Sequence, residues 1–331
     1  MIQSVDILRL RGIREGKLSD LSPLTVLVGP NGSGKSTVIE GILIGASQLP
    51  TEAVRQVIRR HEAGGSGLRW LLWKAGETEP TEITVQSETK QRKCYLRLDR
   101  SHPEDDTLIS LVVAESNTQI ENSWLRGQKN TFHSHGPSNY RPLEDVPEVH
   151  LVEPYPTSFQ RPLDEIYTKT VQLGRRNEAM GIVSEVFPGV SHVEILTECG
   201  QPILHFVFKD HSVPATLAGD GIQSLLRLTL ELAATGAGGL ALLEEPEVHQ
   251  HPGAIRQSAR AIMAAVRRRI QIVLTTHSLE LIDALLSESS DDDLKSMSLY
   301  RVSLEGGVLK HFRLPGPDVA FARTQIEDDL R

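Results

Sequence analysis

Leu24-Thr25-Val26-Leu27-Val28-Gly29-Pro30-Asn31-Gly32-Ser33-Gly34-Lys35-Ser36-Thr37 is the stretch on which the reading of the fold turns. Five mostly apolar residues end at a glycine, as a strand buried in a parallel sheet does. Gly29 to Ser36 fit the spacing G-x-x-x-x-G-K-[S/T]. Residues 35–47 then read as a helix, with Val38, Ile39, Ile42 and Leu43 on one face. Strand, glycine-rich loop and helix in that order are the context a phosphate-binding loop requires. Glycines let successive backbone N–H groups turn inward on an anion, and the helix N-terminus adds partial positive charge. The nine residues Gly29, Pro30, Asn31, Gly32, Ser33, Gly34, Lys35, Ser36 and Thr37 are therefore the expected nucleotide cradle. In it Lys35 reaches the β- and γ-phosphates, the Ser36 hydroxyl ligates Mg²⁺, and Thr37 contacts the α-phosphate.

Two later segments repeat the pattern of an apolar strand that ends in polar groups. Leu240-Ala241-Leu242-Leu243 delivers Glu244 and Glu245. Ligands of open α/β sheets bind at the C-terminal ends of strands, and alternation points adjacent side chains in different directions. Glu244 thus suits a Mg²⁺ ligand and Glu245 a general base or water-orienting group. Ile270 to Thr276 lead to His277, whose imidazole is placed to sense the γ-phosphate or the attacking water. Taken without the glycine-rich loop, the first segment is equally an ordinary acidic turn, and a lone histidine is more readily one that caps the next helix or fills space.

Around these motifs, strands are expected at 3–11 and 23–28, then helices and strands alternate from residue 163 onward: a long helix at 163–187, a buried helix at 221–234, and a closing strand pair near 297–303 and 307–313. Alternation of this kind gives an α/β fold: a P-loop NTPase with a mostly parallel central sheet and flanking antiparallel strands. Residues 50–150 are richer in charge, Pro, Gly and Ser. They read as an inserted α+β region with a long loop at 127–147. The 331 residues carry a formal net charge of −8, which speaks against a uniformly basic DNA-binding surface. Cys94 and Cys199 are far apart and stand in no metal-ligand spacing, so a reducing cytoplasm is expected. No apolar run is long enough to cross a bilayer, and no membrane association is expected.

The three motifs in this order resemble the ABC-class ATPases, and more narrowly the clan of SMC, RecF and OLD ATPases. The loop GPNGSGKST, the acidic segment LLEEPEVHQHP and the strand end TTHS carry the likeness, closest to stand-alone OLD-like AAA ATPases without a Toprim nuclease domain. It implies an ABC-type ATPase domain from residues 1–50 and 150–331, with 51–149 an inserted subdomain of unassigned function. It also implies ATP and Mg²⁺ as cofactors, ATP hydrolysis, and a head-to-tail homodimer formed on ATP binding. In such a dimer a signature segment of one copy closes over the γ-phosphate held by the other. The matching segment here is Leu217-Ala218-Gly219-Asp220-Gly221-Ile222-Gln223, with Gly219, Asp220 and Gly221 as the contacts. The usual serine is replaced by Gly219, or by Ala218 in a shifted register, so backbone contacts remain and the hydroxyl does not. Glu244 stands where Asp is usual. Arg14, in the segment Arg11 to Gly16, is the expected adenine contact. The Q-loop glutamine of the class has only Gln119 and Gln160 as candidates.

The resemblance implies a cytoplasmic switch in DNA repair or anti-phage defence, acting with DNA or with a separately encoded effector such as a nuclease. An ATPase subunit of an ABC transporter and the ATPase of an ATP-regulated nuclease complex are the alternatives. After His277 the chain has only a short strand pair and tail, too little for a Toprim domain. His133 and His135 read as a loop pair, and Asp291 to Asp293 as a solvated turn. Of the basic stretches Arg55–Arg60, Arg92–Arg100 and Arg267–Arg269, the first two are the better candidates for DNA contact.

Overall fold

The computed structural model describes residues 1–60, 65–76, 79–99, 106–115, 118–128, 131–135, 147–153, 161–187 and 189–331. The chain opens with the hairpin β1 (Ile2–Leu10) and β2 (Ile13–Ser19), followed by β3 (Leu24–Val28), α1 (Lys35–Ala46) and α2 (Pro50–Arg60). An antiparallel meander follows: β4 (Thr81–Ser87), β5 (Gln91–Asp99), β6 (Asp106–Glu115), β7 (Thr118–Gln128) and β8 (Thr131–His135). After β9 (Val149–Val152) come α3 (Leu163–Gln172) and α4 (Arg176–Val186), then a small sheet of β10 (His192–Glu198), β11 (Gln201–Val207) and β12 (Ser212–Pro214). The chain closes with α5 (Asp220–Ala234), β13 (Leu240–Glu244), α6 (Pro252–Arg267), β14 (Gln271–Thr275), α7 (Leu279–Ser287), α8 (Asp291–Lys295), β15 (Met297–Glu305), β16 (Val308–Pro315) and α9 (Gly316–Phe321).

The main sheet runs β8-β7-β6-β5-β4-β1-β2-β16-β15-β3-β14-β13-β9. It is mixed. The block β15-β3-β14-β13-β9 is parallel throughout, and the meander from β8 to β2 is antiparallel. β3, β13 and β14 are buried at every position, because helices cover both faces of the parallel block; their continuous apolar runs reflect that. The meander instead alternates. Ile83, Val85, Cys94, Leu96, Ile109, Leu111 and Val113 face inward and are buried.

α1 is the pivot of this core. Eleven of its twelve residues, all but Ser36, are buried, and it packs on the inner face where the meander meets β13 and β14. Its glycines make the close approach possible. A Cβ on Gly41 would lie 2.6 Å from Ile7, and one on Gly45 would lie 2.4 Å from Val85. A buried ion pair pins the same helix. Glu40, fully buried, receives the Arg11 guanidinium from the β1–β2 turn at 2.5 Å.

Several expectations shift. Strand β2 was not expected, since IREGKLS is polar and its exposed side alternates only loosely with a buried one. The single long helix at 163–187 is two: the chain reverses at Leu173-Gly174-Arg175, with Gly174 at φ +70°. The expected loop at 127–147 contains β8, and residues 136–146 lie outside the described ones, as do the side chains of His133 and His135. Asp291 to Asp293 form the first turn of α8, where Ser290 and Asp293 make a reciprocal cap. Three arginines of the basic stretches are engaged within the fold. Arg92 is buried against Glu115 and donates to the Ser47 carbonyl at 2.8 Å, Arg267 holds Asp293 at 2.8 Å, and Arg268 pairs with Glu178. Among the described residues no helix is long and apolar enough to cross a membrane.

Gly45→Leu should overpack the α1–β4 contact and lower unfolding free energy by roughly 1–3 kcal/mol, read from urea denaturation. An unchanged midpoint would show that α1 can move away from the meander freely.

Candidate functional site

Parallel pairing brings three strand ends to one edge. β3 leads into the glycine-rich loop, β13 ends at Glu244, and β14 ends just before Thr276 and His277. Gly29 leaves β3 at φ +144°, and a Cβ there would sit 2.3 Å from the Val302 carbonyl of β15. Gly34 holds φ +94° as the residue before α1, with no side-chain cap on the helix and no acidic residue in its first turn. The α1 N–H groups therefore remain available to an anion. Ser33 is buried and its hydroxyl has no partner among the described residues. Open N–H groups, tight glycines and an orphaned hydroxyl fit a phosphate chain.

Lys35 is buried and its ammonium folds back on the loop, donating to the carbonyls of Gly29 at 2.8 Å and Pro30 at 3.1 Å. Burial pushes its pKa down, while the charge of Glu245 pushes it up. The Ser36 hydroxyl donates to Oε1 of Glu244, a buried carboxylate at the end of β13. That pair is an all-oxygen donor set of the kind Mg²⁺ prefers. Thr37 is buried in the same first turn.

Glu245 turns away from Glu244 through a left-handed backbone, φ +42°. Its N–H donates to the Thr275 carbonyl at 3.0 Å, and its carboxylate lies 3.5 Å from Nε2 of His277. The His277 pKa is lowered, first by burial and then by the nearby Lys35 charge, against the pull of Glu245. Both effects favour the neutral imidazole. Lys35 and His277 both feel the charge of Glu245, and His277 also that of Lys35, so the three side chains share one small region. A cavity of about 760 Å³ opens beside it, lined by Gly29, Pro30, His277, Arg301, Phe312 and Arg331.

Other expected residues lie apart. Gly219 precedes α5 without a side-chain cap, and Leu217, Gly219 and Asp220 are exposed. Gly221 is closed in from the other side, where a Cβ would meet the His249 carbonyl at 2.6 Å. Among the described residues no hydrogen bond or ion pair joins this turn to the glycine-rich loop of its own chain. Arg14 is half exposed and pairs with Glu15 at 3.0 Å. Its neighbour Ile13 lies with Leu309 against Gly34. Gln119 lies in β7, toward the far edge of the sheet, and Gln160 lies outside the described residues. Sequence reasoning gave no role to Arg11 and Glu40, and none to Thr276. Only the spacing of Arg11 before a buried, otherwise apolar helix hinted at the first pair.

A family model described as "AAA domain, putative AbiEii toxin, Type IV TA system" matches residues 24–283, from β3 through the start of α7 and so across all three strand ends. An uncharacterized protein of Methanocaldococcus jannaschii is 32% identical over 83 residues, which is 25% of this chain and 72% of that protein. The fold is similar to an SMC head domain from Thermotoga maritima, with TM-score 0.50 and 13% identity over 95% of this chain and 98% of that one. It is also similar to an Smc head domain from Pyrococcus furiosus that is bound to the C-terminal domain of ScpA, with TM-score 0.53 and 12% identity over 99% of this chain and 100% of that one.

The left-handed backbone at Glu245 is strained for any residue with a Cβ. Glu245→Gly should therefore be more stable than Glu245→Ala by about 1 kcal/mol in urea denaturation. Equal stability of the two variants would mean that the turn relaxes without cost.

Proposed function

The chain belongs to the AAA-domain family whose model spans residues 24–283, and on that footing we propose that it is an ATP-binding and ATP-hydrolysing switch of OLD and RecF type. The observation that carries this reading is the convergence of Lys35, the Ser36–Glu244 pair and the Glu245–His277 pair at one sheet edge. Lys35 would leave its two loop carbonyls for the β- and γ-phosphate oxygens, which satisfy a buried ammonium better. Ser36 and Glu244 would hold Mg²⁺, whose charge offsets that of the phosphates. Glu245 would take the proton of the attacking water as its oxygen bonds to the γ-phosphorus. The bond from that phosphorus to the β-phosphate oxygen breaks, giving ADP and phosphate. Neutral His277, next to Glu245, can hydrogen-bond the water or a γ-phosphate oxygen. The cradle Gly29–Thr37 would carry the triphosphate, and Arg14 remains the proposed adenine neighbour.

The exposed Gly219-Asp220-Gly221 turn supports a head-to-tail homodimer formed on ATP binding, since an uncapped helix N-terminus facing outward is suited to a phosphate held by a second copy. Residues 1–50 and 150–331 would act as the ATPase domain, with 51–149 as the partner-reading part. A family described as a putative AbiEii toxin of a Type IV TA system favours a role in defence, and the switch would act in the cytoplasm. Because Arg92, Arg267 and Arg268 are engaged within the fold, a separate protein effector is favoured over DNA.

Glu245→Gln should bind ATP, accumulate as a dimer of doubled mass in light scattering, and turn over at least ~100-fold more slowly than wild type. Lys35→Ala should show no mass change with ATP. Hydrolysis at the wild-type rate by Glu245→Gln would remove Glu245 as the base. In a salt series with duplex DNA, no binding is expected even at low salt with ATP present; retention that weakens with salt would make nucleic acid the partner.

A further inference from the structure

The turn that follows Glu245 carries a second carboxyl group with an unusual environment. Glu247 Oε1 accepts two hydrogen bonds from the end of β14: the Thr276 hydroxyl at 2.6 Å and the His277 backbone N–H at 3.2 Å. Thr276 is fully buried, and its hydroxyl in turn accepts from the Ser278 N–H at 2.9 Å. Its own N–H reaches the Leu27 carbonyl of β3 at 3.1 Å, just before the glycine-rich loop. Glu247 Oε2 is buried and has no partner among the described residues. Burial raises the Glu247 pKa, and the neighbouring Glu245 charge acts in the same direction. The hydrogen bonds from Thr276 and the His277 N–H act the other way, so burial outweighs them.

The turn itself is firmly built. Glu245 and His249 both have left-handed backbones. Val248 N–H donates to the Glu245 carbonyl at 3.0 Å, and Gln250 N–H to the Glu247 carbonyl at 3.0 Å. The Gln250 side chain donates to the Pro246 carbonyl at 2.8 Å and accepts from the Ser258 hydroxyl of α6 at 2.6 Å. Glu247 therefore projects from a fixed base, and its two bonds tie that base to the residue bearing the imidazole.

We propose that Glu247 is a positioning residue for hydrolysis: by holding Thr276 and the His277 backbone against the turn after β13, it fixes the His277 imidazole beside Glu245. Among the described residues it makes no hydrogen bond or ion pair with the glycine-rich loop, and its side-chain hydrogen bonds reach the reacting groups through His277. The proposal rests on the ATPase reading above. It separates binding from chemistry, because Lys35 and Ser36 do not depend on Glu247, whereas the Glu245–His277 geometry does.

The test uses the full chain with three substitutions: Glu247→Ala, Glu247→Gln and Thr276→Val. Glu247→Ala should lower kcat by about 10- to 100-fold, the scale on which misplacing a reacting group acts, with the dissociation constant of a fluorescent ATP analogue unchanged. Glu247→Gln should recover most of the loss, since its amide oxygen accepts the same two bonds. Thr276→Val, which removes one donor at nearly constant volume, should fall between them, and it keeps the question open to experiment if Glu247→Ala does not fold. The structural readout needs no turnover. The His277 Cε1–H resonance, identified by its loss in His277→Asn, should move in Glu247→Ala and Thr276→Val and hold in Glu247→Gln. A wild type that hydrolyses no ATP would defeat the ATPase reading, while the resonance would still decide the positioning. An unmoved resonance in Glu247→Ala, a Glu247→Gln as slow as Glu247→Ala, or an analogue affinity that falls as far as kcat would each overturn the proposal.

Discussion

Everything at the nucleotide edge depends on the parallel register of three strands. Leu240 pairs with Gln271 and Leu24 with Ile272, so β13 and β14 run level and β3 is offset from them by one residue. Each strand is five residues long and each is buried throughout. Their polar ends can therefore emerge only at the edge, where the chain leaves the core. A one-residue slip of β13 would turn Glu244 from the α1 side, where it receives Ser36, to the opposite face. The apolar residues Leu240 to Leu243 hold the register because they pack alternately into two separate cores, one shared with α1 and one shared with α6 and α7.

That edge gathers charges that oppose one another. A buried ammonium, two carboxylates and a neutral imidazole would be costly if each were isolated, and each instead moderates the next. Lys35 is destabilised by burial and stabilised by Glu245; His277 is kept neutral by burial and by Lys35. Lys35 also borrows two backbone carbonyls that have no need of so strong a donor. An anion with several oxygens relieves the compromise at Lys35, whereas a neutral ligand does not. Under the proposed reading, Lys35 and the open N–H groups of α1 would favour a polyphosphate, and the two carboxylates would need a cation beside it.

The parts that were legible in the sequence are those governed by local rules. The glycine-rich loop, Glu244, Glu245 and His277 each follow a short apolar run, and a buried parallel strand of Leu, Ile and Val is recognisable without any partner. Strand β2 was not legible, because its seven residues include Arg14, Glu15 and Lys17 and its pairing is decided by β1 and β16. Nor was the break at Gly174, since Leu173 to Arg175 interrupt an otherwise continuous helical pattern by a single positive φ. The antiparallel strands flanking the parallel block were expected, but the full extent of the meander was less legible, for a related reason. Strand direction in the meander depends on short turns, such as the one that brings Ser87 N–H to the Lys90 carbonyl at 2.8 Å. The roles of Arg11, Glu40 and Thr276 rest on partners 29 residues away, which no periodicity reports.

The outward signature turn constrains how the proposed switch can work. Gly221 is pressed against the His249 carbonyl, and the Gln250 that braces the turn after Glu245 also lies 3.4 Å from Ser224 on α5. The segment that would grip a second copy's phosphate is therefore built on the same turn that presents this copy's own Glu245. Movement of α5 cannot be independent of the Glu245 turn without losing those contacts. In a head-to-tail pair, each copy would lend α5 to one site and Glu245 to the other, so closing one site would bias the geometry of the second. A ligand shifts such an equilibrium only by its difference in affinity for the two states. The γ-phosphate is the part of ATP that both copies would touch, so its loss on hydrolysis removes that difference and returns the pair to separate chains.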